Sequence, residues 1–189
     1  MKLCFIDLET TGLDSKNCAI HQLSGSIIID GDIKELFDFK IKPFEGAIIV
    51  EEALKASNVT LDMINSYENS INVYTKFISM LSKYVNKFDK YDKMFIVGYN
   101  VQAFDTGFIR EWFSRHNDKY YGSWFWANSM DVMLLATPYL AEVRHKMINF
   151  QQGTVAKQLG IEVDDTKLHD GAYDIDICRK IYDIVCGKY

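Results

Sequence analysis

Asp7 and Glu9 stand two residues apart at the end of a short apolar run, Leu3-Cys4-Phe5-Ile6. On a strand, residues at that spacing project from one face, so the two carboxylates lie side by side. Paired carboxylates repel each other unless they share a cation, and a hard cation such as Mg²⁺ takes oxygen ligands of this kind. A strand end carrying two ordinary solvated acids is the alternative. The apolar run weighs against it, because it places the pair at the end of a buried strand, where α/β proteins hold their sites.

Two further acids have company of their own. In Gly98-Tyr99-Asn100-Val101-Gln102-Ala103-Phe104-Asp105 the acid opens an amphipathic helix. Taken alone, Asp105 reads as a helix N-cap. In Leu168-His169-Asp170-Gly171-Ala172-Tyr173-Asp174 the last acid falls in the first turn of the final helix. The helix dipole favours Asp there for structural reasons alone, and His169 by itself reads as an ordinary loop residue.

The elements that must position these groups follow from periodicity. Residues 2–7 read as a buried strand. Residues 19–30 and 33–42 flank Gly31-Asp32 and alternate as two hairpin strands. Residues 50–56 form a short helix. Val73, Tyr74, Phe77, Ile78, Leu81, Tyr84, Val85 and Phe88 recur at spacings of three and four, which predicts one long amphipathic helix. Lys83, Lys87 and Lys90 share a face of it, as a solvated surface or as a phosphate-binding stripe. Residues 94–99 predict another buried strand, followed by a helix with Phe108, Ile109, Trp112 and Phe113 inward. Residues 114–130 read as a long loop or insertion; a strand and helix start from Asp131, and two helices follow near 153–159 and 171–185. This order implies an α/β sandwich around a mixed sheet, in one domain spanning residues 1–189.

Composition excludes several classes. A chain of 189 residues that is 48% hydrophobic and 25% charged matches a globular protein with one core. No apolar run approaches the ~18 residues of a transmembrane helix. The opening stretch breaks at Asp7, too early for a signal-peptide core, so a cytoplasmic protein with no membrane partner is expected. Cys4, Cys18, Cys178 and Cys186 lack C-x-x-C spacing and read as free thiols rather than zinc ligands or disulfides.

The order of the three acidic clusters carries more than any one of them. Asp7-x-Glu9-Thr10-Thr11-Gly12, then Asn100-x-x-x-Phe104-Asp105, then His169-x-x-x-x-Asp174 resemble the DEDDh (DnaQ-like) exonuclease family. Its members include the proofreading subunit of bacterial DNA polymerase III, ribonuclease T, oligoribonuclease and bacterial exonuclease I. The resemblance spans Leu3 to about Val185. It implies a ribonuclease H-like fold, a mixed five-stranded sheet flanked by helices. By motif, it implies Asp7, Glu9, Asp105 and Asp174 as ligands of two Mg²⁺ or Mn²⁺ ions, with His169 completing the catalytic set as general base. It also implies that Thr10, Thr11 and Gly12 approach the terminal nucleotide through their backbone and that Leu13 packs near the last base. Asn100 belongs to the second motif on the substrate side. Gly171 departs from the usual Ala of the family and is expected to loosen the loop that carries His169.

The implied reaction is 3′→5′ hydrolysis of a nucleic-acid end, releasing nucleoside monophosphates, with activity rising from about pH 6 to 8 as the imidazole loses its proton. The second motif, with Gly98-Tyr99-Asn100 and three residues before Phe104-Asp105, is most similar to that of exonuclease I. So are the stretch Tyr120-Tyr121-Gly122-Ser123-Trp124-Phe125-Trp126 and the following Asp131-Val132-Met133. That points to the 3′ end of single-stranded DNA, with RNA as the alternative substrate. The aromatic rings read equally as base-stacking surfaces or as core. A net charge of −5 is unusual for a nucleic-acid binder. With four acids assigned to metal, the remaining surface is near neutral and matches a short footprint. A homodimer, a polymerase partner and a non-catalytic nucleic-acid-binding module are the other readings. The five intact catalytic positions argue against the last.

Overall fold

The computed structural model describes residues 1–168 and 170–187. Three strands open the chain: β1 (Lys2–Thr10), β2 (Ile20–Ile29) and β3 (Asp32–Lys42). Next come α1 (Glu51–Ala56), α2 (Leu61–Ser66), the short β4 (Glu68–Asn69) and α3 (Ser70–Ser82). β5 (Phe95–Gly98) leads into α4 (Asp105–Arg115), the one-turn α5 (Tyr121–Trp124), β6 (Met130–Asp131) and α6 (Val132–Tyr139). α7 (Gln152–Gln158) and α8 (Gly171–Val185) complete the order.

The strands form one mixed sheet in the order β4-β3-β2-β1-β5-β6. β2 pairs antiparallel with β1 and β3, whereas β5 runs parallel to β1 and to β6. This is the helix-flanked ribonuclease H-like arrangement, with the two-residue β4 added outside β3. Among the described residues no helix is long and apolar enough to cross a membrane. All four cysteines are free thiols, and only Cys186 is not fully buried.

Alternation along β1 decides where the acids go. Cys4, Ile6 and Leu8 enter one core with Phe77 and Leu81 of α3 and Phe108 and Trp112 of α4. Leu3 and Phe5 enter the other with residues of α6, α7 and α8. The period of two then carries Asp7 and Glu9 to the α8 side of the sheet.

Several boundaries differ from the sequence reading. The hairpin turns one residue earlier, at Asp30 and Gly31, whose φ values of 51° and 95° are both positive. Ile29 pairs directly with Asp32, so this is a two-residue turn of the kind Asp-Gly favours. The expected helix through Phe88 stops at Ser82. Beyond it, Asn86, Asp89 and Asp92 accept the backbone N–H groups of Phe88, Tyr91 and Asn86, and these local bonds displace the helical ones. The lysine stripe expected on that helix therefore does not exist as such. Residues 114–130 are not an open loop: α5 lies within them, β6 starts at their last residue, and Tyr121, Trp124 and Phe125 are buried. The N–H of Met94 donates to Trp124 O and that of Trp126 to Met94 O, so the stretch runs alongside the start of β5. α2 and β4 are too short to carry a periodic signal.

Candidate active site

Four carboxylates meet at the end of the sheet where β1 and β5 finish. The carboxyl of Asp7 is pushed well above the usual carboxylate range, first by burial and then by the charges of Asp105, Asp174 and Glu9. Asp105 is buried and pushed up to about 7, chiefly by burial; backbone N–H groups of Asp105 itself and of Leu8 pull the other way. Each of these acids thus sits where its ionised form is poorly solvated and faced by like charge.

The N-cap reading of Asp105 does not hold. The cap position is Phe104, with no side-chain cap bond, and Asp105 is the first residue of α4. Its helix packs on the opposite face of the sheet from α8, and it reaches the cluster because the chain wraps the end of β5 first. Asp174 does lie in the first turn of α8, but the cap there is Asp170, which accepts from the N–H groups of Ala172 (3.1 Å) and Tyr173 (3.4 Å). Its first-turn place agrees with the helix-dipole reading, while the capping is done by Asp170. His169 lies outside the described residues.

The turn after β1 spends its hydroxyls internally. Thr10 Oγ1 donates to Gly12 O (2.7 Å), and Thr11 Oγ1 donates to Ile48 O (2.7 Å) while accepting from the Ala19 N–H (2.9 Å). Both threonines are buried, and a bulge at Glu9/Thr10 starts the turn. Gly12 is held close: a Cβ there would lie 2.6 Å from Cys18 Sγ. Leu13 is 86% exposed beside it. Asn100 takes a left-handed φ of 60° and donates its N–H to Asp131 Oδ1 (3.1 Å), so its visible role is to shape the turn between β5 and α4.

Three groups have positioning roles that were not found from sequence. Ser57 Oγ donates to Glu9 Oε2 at 2.5 Å. Gln152 Nε2 donates to the backbone carbonyl of Asp174 at 2.8 Å and ties α7 to α8. Asp131 is buried and accepts from Asn100, Gln102, Met133 and Leu134 N–H groups, which links the second motif to α6. Only Asp131 had a signal, an acid directly ahead of a helix. A cleft of about 470 Å³ opens over the cluster, with Asp7, Asp174, Tyr99, Gln152, Lys157 and Leu168 among its walls.

The donor set fits a hard divalent cation. It offers carboxylate oxygens only, two of them driven toward protonation by burial and mutual repulsion, which a cation would relieve. As the side chains stand, no three His, Cys, Asp or Glu among the described residues close to metal-holding distance.

Comparison with known proteins gives the family and the fold. The RNase_T exonuclease family model matches residues 4–182. The chain therefore belongs to this exonuclease family, the DEDDh (DnaQ-like) proteins of ribonuclease H-like fold. E. coli exonuclease I in complex with a dT13 oligonucleotide superposes with a TM-score of 0.77 at 20% identity, covering 97% of this chain and 40% of that one. The zinc-bound E. coli exonuclease I–ssDNA complex gives 0.75 at 20% identity, over 99% and 41%. The complex of the same enzyme with dA16 gives 0.76 at 19% identity, over 99% and 42%. The chain thus spans about 40% of the length of these exonuclease I chains. No curated protein sequence matches it.

Proposed function

We propose that this chain is a 3′→5′ exonuclease that releases nucleoside monophosphates from single-stranded DNA. The observation that carries the reading is the half-buried Asp7, faced by the charges of Glu9, Asp105 and Asp174 from three elements of the chain. Asp7, Glu9, Asp105 and Asp174 would hold two Mg²⁺ or Mn²⁺ ions, which when bound supply positive charge at the scissile phosphate and acidify a water. His169 takes the proton of the attacking water in its neutral imidazole form. Thr10, Thr11 and Gly12 meet the terminal nucleotide through their backbone, since both hydroxyls are already committed within the turn. Leu13 and Asn100 complete the substrate side, with the exposed Leu13 side chain against the last base. The oligonucleotides in the exonuclease I structures support single-stranded DNA over RNA.

The test is incubation with Mg²⁺ or Mn²⁺ and matched 5′-labelled DNA and RNA single strands, beside Asp7→Ala. A ladder of shortening DNA that the variant does not produce is expected. A ladder on RNA alone moves the substrate to RNA. No ladder on either, from folded protein with metal present, overturns the nuclease reading.

A further inference from the structure

Residues 83–93 carry Lys83, Lys87, Lys90 and Lys93 interleaved with Tyr84, Phe88 and Tyr91. They form an ordered loop between α3 and β5, not a helical stripe. The Asp89 N–H donates to Asn86 O (2.9 Å) and that of Asp92 to Asp89 O (3.1 Å), and Lys2 Nζ donates to both Tyr84 O and Asp92. This scaffold holds outward the two most exposed aromatic rings among the described residues, Phe88 at 88% and Tyr91 at 72%.

The lysines attend the rings. Lys87 Nζ lies 5.4 Å from the Phe88 ring centroid and 5.7 Å from that of Trp124, Lys90 Nζ 4.8 Å from Tyr91, and Lys93 Nζ 5.3 Å from Trp126. Lys83 is paired with Glu35, but among the described residues no ion pair claims Lys87, Lys90 or Lys93. Beside the loop lies a cleft of about 490 Å³ walled by Lys83, Tyr84, Lys87, Phe88, Asp92 and Trp124. The Trp124 Nε1–H is buried there without a hydrogen-bond partner in the structure.

We propose that this loop and its cleft form a second docking surface for single-stranded nucleic acid, remote from the end being cut. The inference rests on the nuclease reading for its substrate, not for its geometry. A single strand alternates flat bases with phosphates, and the loop alternates exposed rings with unpaired ammonium groups in the same linear order. Any base can stack on such a ring, so contact here is indifferent to sequence, and the lysines neutralise phosphates. Lys2, which ties the loop down, starts β1 five residues before Asp7, about 17 Å away along the strand. One oligonucleotide must therefore run several nucleotides to touch both places. Long strands gain affinity from the loop and the shortest ones do not.

Two variants test this, Phe88→Ala/Tyr91→Ala and Lys87→Gln/Lys90→Gln, each on exposed side chains outside the catalytic machinery. Binding is read by fluorescence anisotropy without metal, on oligonucleotides of about 20 and about four nucleotides. Loss of the rings should weaken binding of the longer strand about tenfold or more. Loss of the two lysines should flatten the dependence of log Kd on log salt by about 1.4. Hydrolysis of the short strand with metal should match wild type in both. Longer-strand affinities within about twofold of wild type in both variants overturn the proposal, including the case in which the loop serves an acidic protein. Failure of the nuclease reading looks different: wild type then hydrolyses neither strand, whatever the anisotropy reports.

Discussion

Gly171, the first residue of α8, packs so closely on Ser24 of β2 that a Cβ there would lie 2.7 Å from the Ser24 Cβ and 3.2 Å from Gln22 Nε2. Ser24 Oγ and Gln22 Nε2 both donate to Asp38 Oδ1, at 2.9 and 2.8 Å, so neither wall gives way freely. The glycine is what lets α8 start against the sheet, three residues ahead of Asp174. Gly171→Ala should overpack this contact and cost about 1–3 kcal/mol, lowering Tm by roughly 2–12 °C for a chain of this size. A Ser24→Gly/Gly171→Ala double variant should melt higher than the sum of the single effects predicts. Additive losses in calorimetry would show that the two residues do not compete for space.

The acids themselves predict an inverted pH response in metal-free protein. Asp105 has an ordinary value near 3.8 when unfolded and about 7 when folded. The native state therefore binds its proton more tightly. The stability this confers is complete below about pH 4 and is lost as pH rises toward 7, by an amount on the order of a few kcal/mol. Asp7, also pushed up, acts in the same direction. With EDTA present, Tm should be higher at pH 5.5 than at pH 8, and Asp105→Asn should reduce the difference. Added Mg²⁺ should raise Tm more at pH 8, where the acids are free of protons. A metal effect equal at both pH values would separate cation binding from these carboxylates.

The parts of the site legible in the sequence were those with a short-range signature. Asp7 and Glu9 share a face because strands alternate, and β1 fixes that face to the α8 side. The sheet and the inward faces of α4 and α8 followed from apolar spacing in the same way. What failed was length and competition. The end of α3 was hidden because Tyr84, Val85 and Phe88 keep a helical period, while Asn86, Asp89 and Asp92 supply local acceptors that close turns instead. Aromatic residues 120–126 carry no periodicity at all, so burial of Tyr121, Trp124 and Phe125 depends on contacts distant in sequence. Ser57 is of this second kind, a serine at the end of a short helix whose partner lies on β1.

Ser57→Ala isolates that hydrogen bond. Glu9 would lose the donor that fixes one carboxylate oxygen at 2.5 Å, with little change in packing around the half-buried serine. Outer-sphere partners of this kind typically support about 10–100-fold in metal affinity or activity. The expected result is a roughly tenfold higher Mg²⁺ requirement at nearly unchanged Tm. Titration of activity against Mg²⁺, beside a melt, reads both. An unchanged Mg²⁺ curve would mean that Glu9 needs no such orientation.

Asp131 offers a separation of fold from function, because its hydrogen bonds reach the site through backbone N–H groups, although its charge also helps to raise the Asp105 carboxyl. Its carboxylate accepts from Asn100 and Gln102 N–H at 3.1 Å each, and from Met133 and Leu134 N–H at 3.1 and 3.4 Å. The first pair fixes the turn in which Asn100 takes its positive φ, and that turn aims the start of α4, hence Asp105. Asp131→Ala strands these donors in a buried place and should cost about 3 kcal/mol or more. Asp131→Asn with its amide oxygen in the Oδ1 place keeps the cap of α6 and the Asn100 bond but puts a donor where Oδ2 accepted the Gln102 N–H, so it should fold with a smaller loss and a disturbed turn. In the Asn variant, well below its Tm, kcat should fall by about tenfold or more while KM changes little, because a misplaced ligand weakens the transition state rather than strand binding. A wild-type kcat alongside a lowered Tm would reduce Asp131 to a stabilising cap and leave the placement of Asp105 to the packing of α4 alone.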